Sequence, residues 1–350
     1  AGWTTRTTLW SPALDSTGQS RSAVQLHSRI LQDGSLDALY VVLSDGTVVT
    51  FPYAAAGLST TPTSQGLLPR EEFAVLGTQW ISLNDRVSVR GAGGRPTVVG
   101  GFGAWPYGGV WPNNDPFSVL VGTDVVAPEI WSQNVAWLRD RARVDGDIYT
   151  SSSALSSFPL GYTCQNCSTN SMTGKPFAVG TTGLARTLPS APTFPAPTTL
   201  GTYIPTGAVS PGSFNELIAD NGKTISLASG KYYFNSLKIE PDATVNVDVS
   251  SGPVYLLVKD YLIIRGRVNV SGHPEQLFIG YWGMQDVWVD SALTATLLAP
   301  NTTVELASNP KYGRMHQGAV FGAAVRVHQD AVVEHHPFLS LWPGDANWTP

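Results

Sequence analysis

Two glutamates in the last fifty residues have a spacing that suits acid–base chemistry. Glu305 ends the segment Pro300-Asn301-Thr302-Thr303-Val304-Glu305, and Glu334 ends Gln329-Asp330-Ala331-Val332-Val333-Glu334. If the two segments are stacked strands in that register, the carboxyls lie roughly 5 Å apart. A retaining glycosidase holds its nucleophile and its proton donor at about 5–5.5 Å. Like charges at that range also raise one of the two pKa values, as a general acid requires. The plainer alternative is an outward acid that is solvated or paired with arginine, and Arg314 and Arg326 are near in sequence. A second pair, Asp286 and Asp290, shares a strand face with Trp288, but four extended residues separate the carboxylates by ~13 Å. A third, Asp145 and Asp147, shares one face across Gly146 with Cα atoms ~6.6 Å apart. Asp124 and Glu129 are within reach of it, and Tyr149 lies beside it. These six, Glu305, Glu334, Asp286, Asp290, Asp145 and Asp147, are the candidate catalytic carboxylates, each with ordinary turn chemistry as its alternative.

The aromatic residues suggest what such carboxylates act on. There are 11 Trp and 12 Tyr. Trp105, Tyr107 and Trp111 lie in the stretch Gly100–Pro116, which has too few aliphatic residues for a core. Tyr281, Trp282 and Trp288 form a second group. Rings beside Asn, Asp and Gly stack on sugars, so these six are the candidate substrate-binding residues; the alternative is that they plug the side or end of the fold. Four of the six histidines, His316, His328, His335 and His336, fall close together. His335 and His336 point to opposite faces of a strand, so no metal site is expected, and polar contacts in an end-capping rung fit better. Cys164-x-x-Cys167 lies in a loop without nearby histidine and reads as a loop-closing disulfide in an oxidising compartment. No nucleophile elbow, Walker loop or dinucleotide fingerprint is present, so no cofactor is expected.

The elements that carry these residues repeat. Leu83-Asn84-Asp85-Arg86-Val87-Ser88-Val89-Arg90-Gly91 and Leu138-Arg139-Asp140-Arg141-Ala142-Arg143-Val144-Asp145-Gly146 share the frame Leu-x-Asp-Arg-x-x-Val-x-Gly. Looser copies begin at Ile239, Ile263, Leu297 and Val325. Period-2 alternation makes strands with one face inward, and Asp, Asn, Gly and Pro turn the chain between them. The expectation is an all-β fold, a right-handed β-helix (β-solenoid) with an N-terminal β region, and a sandwich as the alternative. Residues 1–72 are the N-terminal β region, with a hairpin signal at Ser44-Asp45-Gly46-Thr47. Residues 73–150 form a first solenoid block, 151–212 a Ser/Thr/Pro-rich connection, and 213–350 a second block with a C-terminal cap. Ser213–Ala219 is one of the few stretches that could be helical.

Composition narrows the class. Only 13% of the 350 residues are charged, against 42% hydrophobic, where an average domain carries about 25% charged. Coiled coils, helical bundles and charge-rich disordered chains are excluded. Lys+Arg number 21 and Asp+Glu 26, with no basic run, so nucleic acid is not an expected partner. No apolar run approaches the ~20 residues of a membrane helix. A chain this poor in charge solvates itself with hydroxyls, amides and turns, as loop-rich exported β proteins do. The opening Ala1-Gly2-Trp3 is compatible with a mature end left by a signal peptidase or with an arbitrary boundary.

The run Gly318–Asp330, ending at His335-His336-Pro337-Phe338 and preceded by Leu297-Leu298-Ala299-Pro300-Asn301, resembles the C-terminal repeat domain of exported, pilus-associated-type proteins of predatory soil bacteria. Leu138–Tyr149, with Val144-Asp145-Gly146-Asp147-Ile148-Tyr149, resembles rungs of bactofilins, which are right-handed β-helices. The resemblance covers about 230 residues in two blocks. It implies architecture and carries over no catalytic residue. The function expected is therefore an exported carbohydrate-active protein, most concretely a glycoside hydrolase acting on a polysaccharide such as a β-glucan. The alternative is a noncatalytic surface or matrix protein that binds glycans or assembles through solenoid edges. Oligomeric state is open.

Overall fold

The computed structural model describes residues 72–338, 342 and 343, apart from 96, 109–115, 151–161, 175, 179–187, 271–272, 310, 312 and the side chains of 177 and 178. Before residue 72 it describes only the backbone of strands between Gly2 and Gly66. Those strands include a six-stranded antiparallel sheet running Gly2–Leu9, Val24–Ile30, Leu36–Val42, Val48–Ala54 and onward. The hairpin signal at 44–47 lies outside the described residues, between the paired Val42 and Val48.

From Phe73 onward the described residues are β-strands and turns, with no α-helix and two 3-10 turns, Ala92–Gly94 and Pro274–Gln276. The strands join a 21-stranded parallel sheet and a four-stranded parallel sheet. Successive passes of the chain pair in parallel, an arrangement consistent with a β-solenoid. Ser213–Ala219, read from sequence as helical, is part of the strand Gly212–Ala219. It pairs along its length with Gly230–Ile239, and that ladder outweighs the weak local preference.

The order of the rungs is not the order of the sequence. Thr199–Tyr203 begins one end. Gly212–Ala219, Gly230–Ile239, Val254–Ile264, Leu277–Tyr281, Thr294–Leu306 and Met315–Val327 follow by parallel pairing. Met315–Val327 then pairs with Phe73–Leu83, placing Val325 on Ile81 and Val327 on Leu83. Val332–His335 likewise pairs with Ser88–Gly91. From there the stack continues through Val98–Gly101, Glu129–Ser132 and Ile148–Thr150 to Pro176–Ala178. The first and last rungs of the chain are therefore neighbours in the middle of the stack. The His-bearing C-terminal rung, expected at an end, is an interior rung.

Two packed layers hold this order. Inside, Val, Leu, Ile and Ala from most rungs, joined by Phe214, Tyr232, Phe234 and Tyr281, form one core. Outside one half of the long sheet lies an aromatic layer that includes Phe73, Trp131, Tyr233, Phe278 and Trp282. The segment after Leu188 straps this layer: Phe194 meets Tyr233 and Trp282 edge-on, and the Trp282 indole donates to the Pro189 carbonyl. Phe338 and Trp342 cover Tyr255, Phe278 and Phe321. The Pro-rich connection thus returns the chain past buried rings that would otherwise face water.

The corners repeat as well. Asp330, Arg86, Asp124 and Arg141 occupy stacked corners with φ between 54° and 64°, the left-handed region. Amides one rung apart donate across the stack, from Asp330 to the Asp85 carbonyl, Arg86 to Thr123 and Asp124 to Asp140. Their side chains alternate in charge: Arg86 pairs with Asp330 at 2.6 Å and Arg141 with Asp124 at 2.6 Å. Arg86 holds the Asp330 carboxyl below the usual range, and Arg141 does the same for Asp124. The arginines of the sequence frame Asp-Arg, Arg86 and Arg141, supply the cations of this ladder, and Asp330 and Asp124 from rungs without the frame supply the anions.

Candidate functional site

A groove of about 890 Å³ opens where the strand Ser88–Gly91 turns through Ala92–Gly94 towards Val98–Gly101. Its lining includes Arg90, Arg95, Glu129, Asp145, Asp147 and Glu334. The register Ile130↔Ile148 places Glu129 and Asp147 at equivalent positions on successive rungs. Neighbouring strands lie ~4.8 Å apart, so these two carboxylate-bearing positions stack at that spacing. Each acid is followed two residues later by an aromatic donor. Trp131 Nε1 donates to Glu129 Oε1 at 2.7 Å, and the Tyr149 hydroxyl donates to Asp147 Oδ2 at 3.2 Å. The two rings lie against each other at 4.8 Å. Glu129 is buried at 1% exposure and Asp147 is half-buried. Gly174 makes the room: a Cβ there would sit 2.2 Å from Asp147 Oδ1.

The other acids of the groove are engaged. Asp145 accepts from Arg143 Nε at 2.6 Å. Glu334 accepts from Arg90 Nη2 at 3.0 Å and Gln317 Nε2 at 3.3 Å, and lies 3.1 Å from His336 Nε2. His336 foremost, then Gln317 and Arg90, hold the Glu334 carboxyl below the usual range, the reverse of what a proton donor needs.

Glu305 is elsewhere, and it does not stack on Glu334. Val304 pairs with Val325, not Val333, so Glu305 lies opposite Arg326. Glu334 lies opposite Gln317 and Arg90 on the second side of the rung. The two Val-Glu frames look equivalent in sequence but sit on different sides of the rung. Both oxygens of Glu305 are occupied, by Arg326 Nη1 and His328 Nε2, each at 2.7 Å. Asp286 accepts from the Thr302 hydroxyl and the Thr303 amide, a turn role. Asp290 accepts from the Trp288 indole and faces Arg265 at 3.8 Å.

No protein-family model, curated protein or solved structure matches this chain.

The aromatic candidates divide. Tyr281 is fully buried, its hydroxyl donating to the Asp260 carbonyl and accepting from the Gln285 amide. Trp282 lies under the 188–198 strap. Neither is open to a ligand: Tyr281 points into the aliphatic core, and Trp282 reads as a surface ring in sequence because the strap that covers it lies some ninety residues away. Trp288, Trp105 and Tyr107 are at the surface, and Trp111 lies outside the described residues. Glu129 had been placed only within reach of the Asp145–Asp147 cluster. The shared spacing Glu129-x-Trp131 and Asp147-x-Tyr149, a carboxylate two residues before an aromatic donor, is the signal that singles it out. Cys164 and Cys167 form a disulfide, as their loop setting suggested. His316 is buried; its Nδ1 accepts from the Leu293 amide and its Nε2 donates to the Ala307 carbonyl at 2.9 Å.

Proposed function

We propose that the protein is an exported, right-handed β-solenoid that hydrolyses glycosidic bonds, with Glu129 and Asp147 as its carboxylate pair. The stacking of these two acids at the lip of a groove carries the reading. Their ~4.8 Å rung spacing approaches the ~5–5.5 Å of a retaining pair. The groove volume falls within the range of about 300–1,000 Å³ that accommodates small-molecule ligands. Glu129, buried and fixed by the Trp131 indole, is placed to attack the anomeric carbon. Asp147, nearer solvent, donates its proton to the departing glycosidic oxygen as that C–O bond breaks. Water then attacks the glycosyl ester, Asp147 takes the water's proton, and Glu129 leaves as a carboxylate. Right-handed winding follows the preference of parallel β connections. The disulfide and the low charge support export to an oxidising compartment.

Incubation with a panel of β-glucan, chitin and uronate polymers is expected to release reducing sugar. Glu129→Gln or Asp147→Asn lowers the release by at least a hundredfold, the scale of an acid–base contribution. Glu216→Gln leaves it within a few-fold, because Glu216 pairs with Lys238 on a strand remote from the groove. No release from the whole panel, or full activity in Glu129→Gln, would discard the pair.

A further inference from the structure

On a different face from the groove, the fold builds a strip that neither chain half possesses alone. Trp288, Glu305, Arg326, Ser82, Leu120 and Trp137 are consecutive partners across five parallel pairings. Five steps of ~4.8 Å make a straight row about 24 Å long. Trp288 and His328 lie 5.0 Å apart at one end. Arg326 covers the Trp80 ring at 5.4 Å, and Trp80 contacts Trp105 at 4.4 Å. Trp105 stacks on Phe117 and contacts Tyr107; Phe117 contacts Trp137 at 5.4 Å. Trp288 is 45% and Tyr107 78% exposed.

The aromatic layer on the adjoining half of the sheet is sealed by the 188–198 strap and by Phe338 and Trp342. The strip differs in kind. Trp288 and Trp137 stand at its two ends with the polar Glu305, Arg326 and Ser82 between them, of which Arg326 is part-exposed and Glu305 and Ser82 are buried, and Glu305 and Arg326 leave the row formally neutral. A purely structural apolar cover fits that mixture poorly, since it would strand the polar groups. A sugar chain fits it well: apolar ring faces meet indoles while hydroxyls meet Arg326 and His328.

We propose that this row is a binding platform for an extended neutral polysaccharide of the β-glucan class, lying along the rung-stacking direction. It rests on the reading of the protein as carbohydrate-active but not on hydrolysis. Neutrality decides against charged polymers, because a row with one cation and one anion gives no net attraction to either sign.

Affinity electrophoresis through gels containing hydroxyethyl cellulose tests it, with polygalacturonate as the anionic comparison. The protein is expected to be retarded by hydroxyethyl cellulose and not by polygalacturonate. Raising salt from 0.05 to 0.5 M leaves the retardation unchanged, which screened charge attraction would not. Trp288→Ala, an exposed position that spares the core, weakens binding roughly tenfold, equivalent to about 1.4 kcal/mol. Tyr107→Ala weakens it in the same direction, and far-UV circular dichroism confirms that both variants fold. Glu129→Gln binds as tightly as the parent, so loss of hydrolysis and loss of binding separate. Retardation by polygalacturonate alone, no retardation in hydroxyethyl cellulose, or unchanged retardation of folded Trp288→Ala would overturn the platform.

Discussion

Between pH 7 and pH 4 the folded state is expected to lose stability steeply, because two buried histidines must take up protons. His316 and His335 are 2% and 4% exposed. Burial pushes the His316 pKa down to about 4 and the His335 pKa down to about 3. The environments explain why neither accepts a second proton. His316 Nδ1 already receives the Leu293 N–H, so protonating it sets two donors face to face. His335 Nδ1 lies 2.7 Å from the Thr97 hydroxyl, and its Nε2 has no hydrogen-bond partner among the described residues. Arg95 and His336 add positive charge nearby. The unfolded chain protonates near 6.5, above both folded values, so it binds more protons throughout this window. Stability is therefore full above about pH 6.5, falls as pH drops, and the loss levels off below the folded pKa values. Two titrating sites give a limiting slope of about 2.7 kcal/mol per pH unit. Urea unfolding at pH 7.5, 6 and 5 measures it. His316→Gln, which can still donate to the Ala307 carbonyl, should cut the slope by about half. Equal stability at pH 7.5 and 5 would contradict the account. Glu334, Asp124 and Asp330, whose pKa values are lowered by their partners, add their own loss only at still lower pH.

The second large effect lies at the seam where the last rungs meet the first. Val325 is fully buried between Val304 and Ile81. Val325→Asp places a charge in the aliphatic core at the one junction joining 199–335 to 73–178, and should cost more than ~4 kcal/mol. The distinctive consequence is where protection is lost. Hydrogen exchange is expected to rise in Phe73–Leu83 and Val98–Gly101 as well as in Thr294–Leu306, strands about two hundred residues apart in sequence. If 73–178 keeps its protection while Val304 and its neighbours lose theirs, the seam does not carry the cooperativity assigned to it. Charge removal at the surface of the same seam, Arg86→Ala or Arg90→Ala, should be mild by comparison, because exposed pairs contribute little.

Much of the local structure was legible in the sequence. Alternating Val in Val87-Ser88-Val89 or Val245-Asn246-Val247 states which side chains go inward, since the strand period is two wherever the strand lies. The Asp-Arg frame marked the corners, where side chains of opposite sign stack. Asp147, Trp288, Trp105 and Tyr107, which enter the two proposals, stand out in the sequence by residue type and setting. Glu305 and Glu334 were misjoined because both follow an inward Val in similar frames, and nothing in a frame says on which side of a rung it falls. Trp282 looked exposed because the segment that covers it is remote, and Tyr281 because its Gly-rich setting hides that it points into the core.

The sequence by itself determined that this is an all-β chain of short, aliphatic-cored, corner-turned strands. Strand period, turn chemistry and low charge are local properties, and local properties are written locally. Only the tertiary structure decided which rung follows which. One Val/Leu rung fits another almost anywhere, so the choice falls to features that act over distance. Chief among those is the aromatic layer sealed by the returning strap and by Phe338 and Trp342, with the exposed pairs Arg86–Asp330 and Arg90–Glu334 adding little. That choice alone aligns Trp288 with Trp137 on one face.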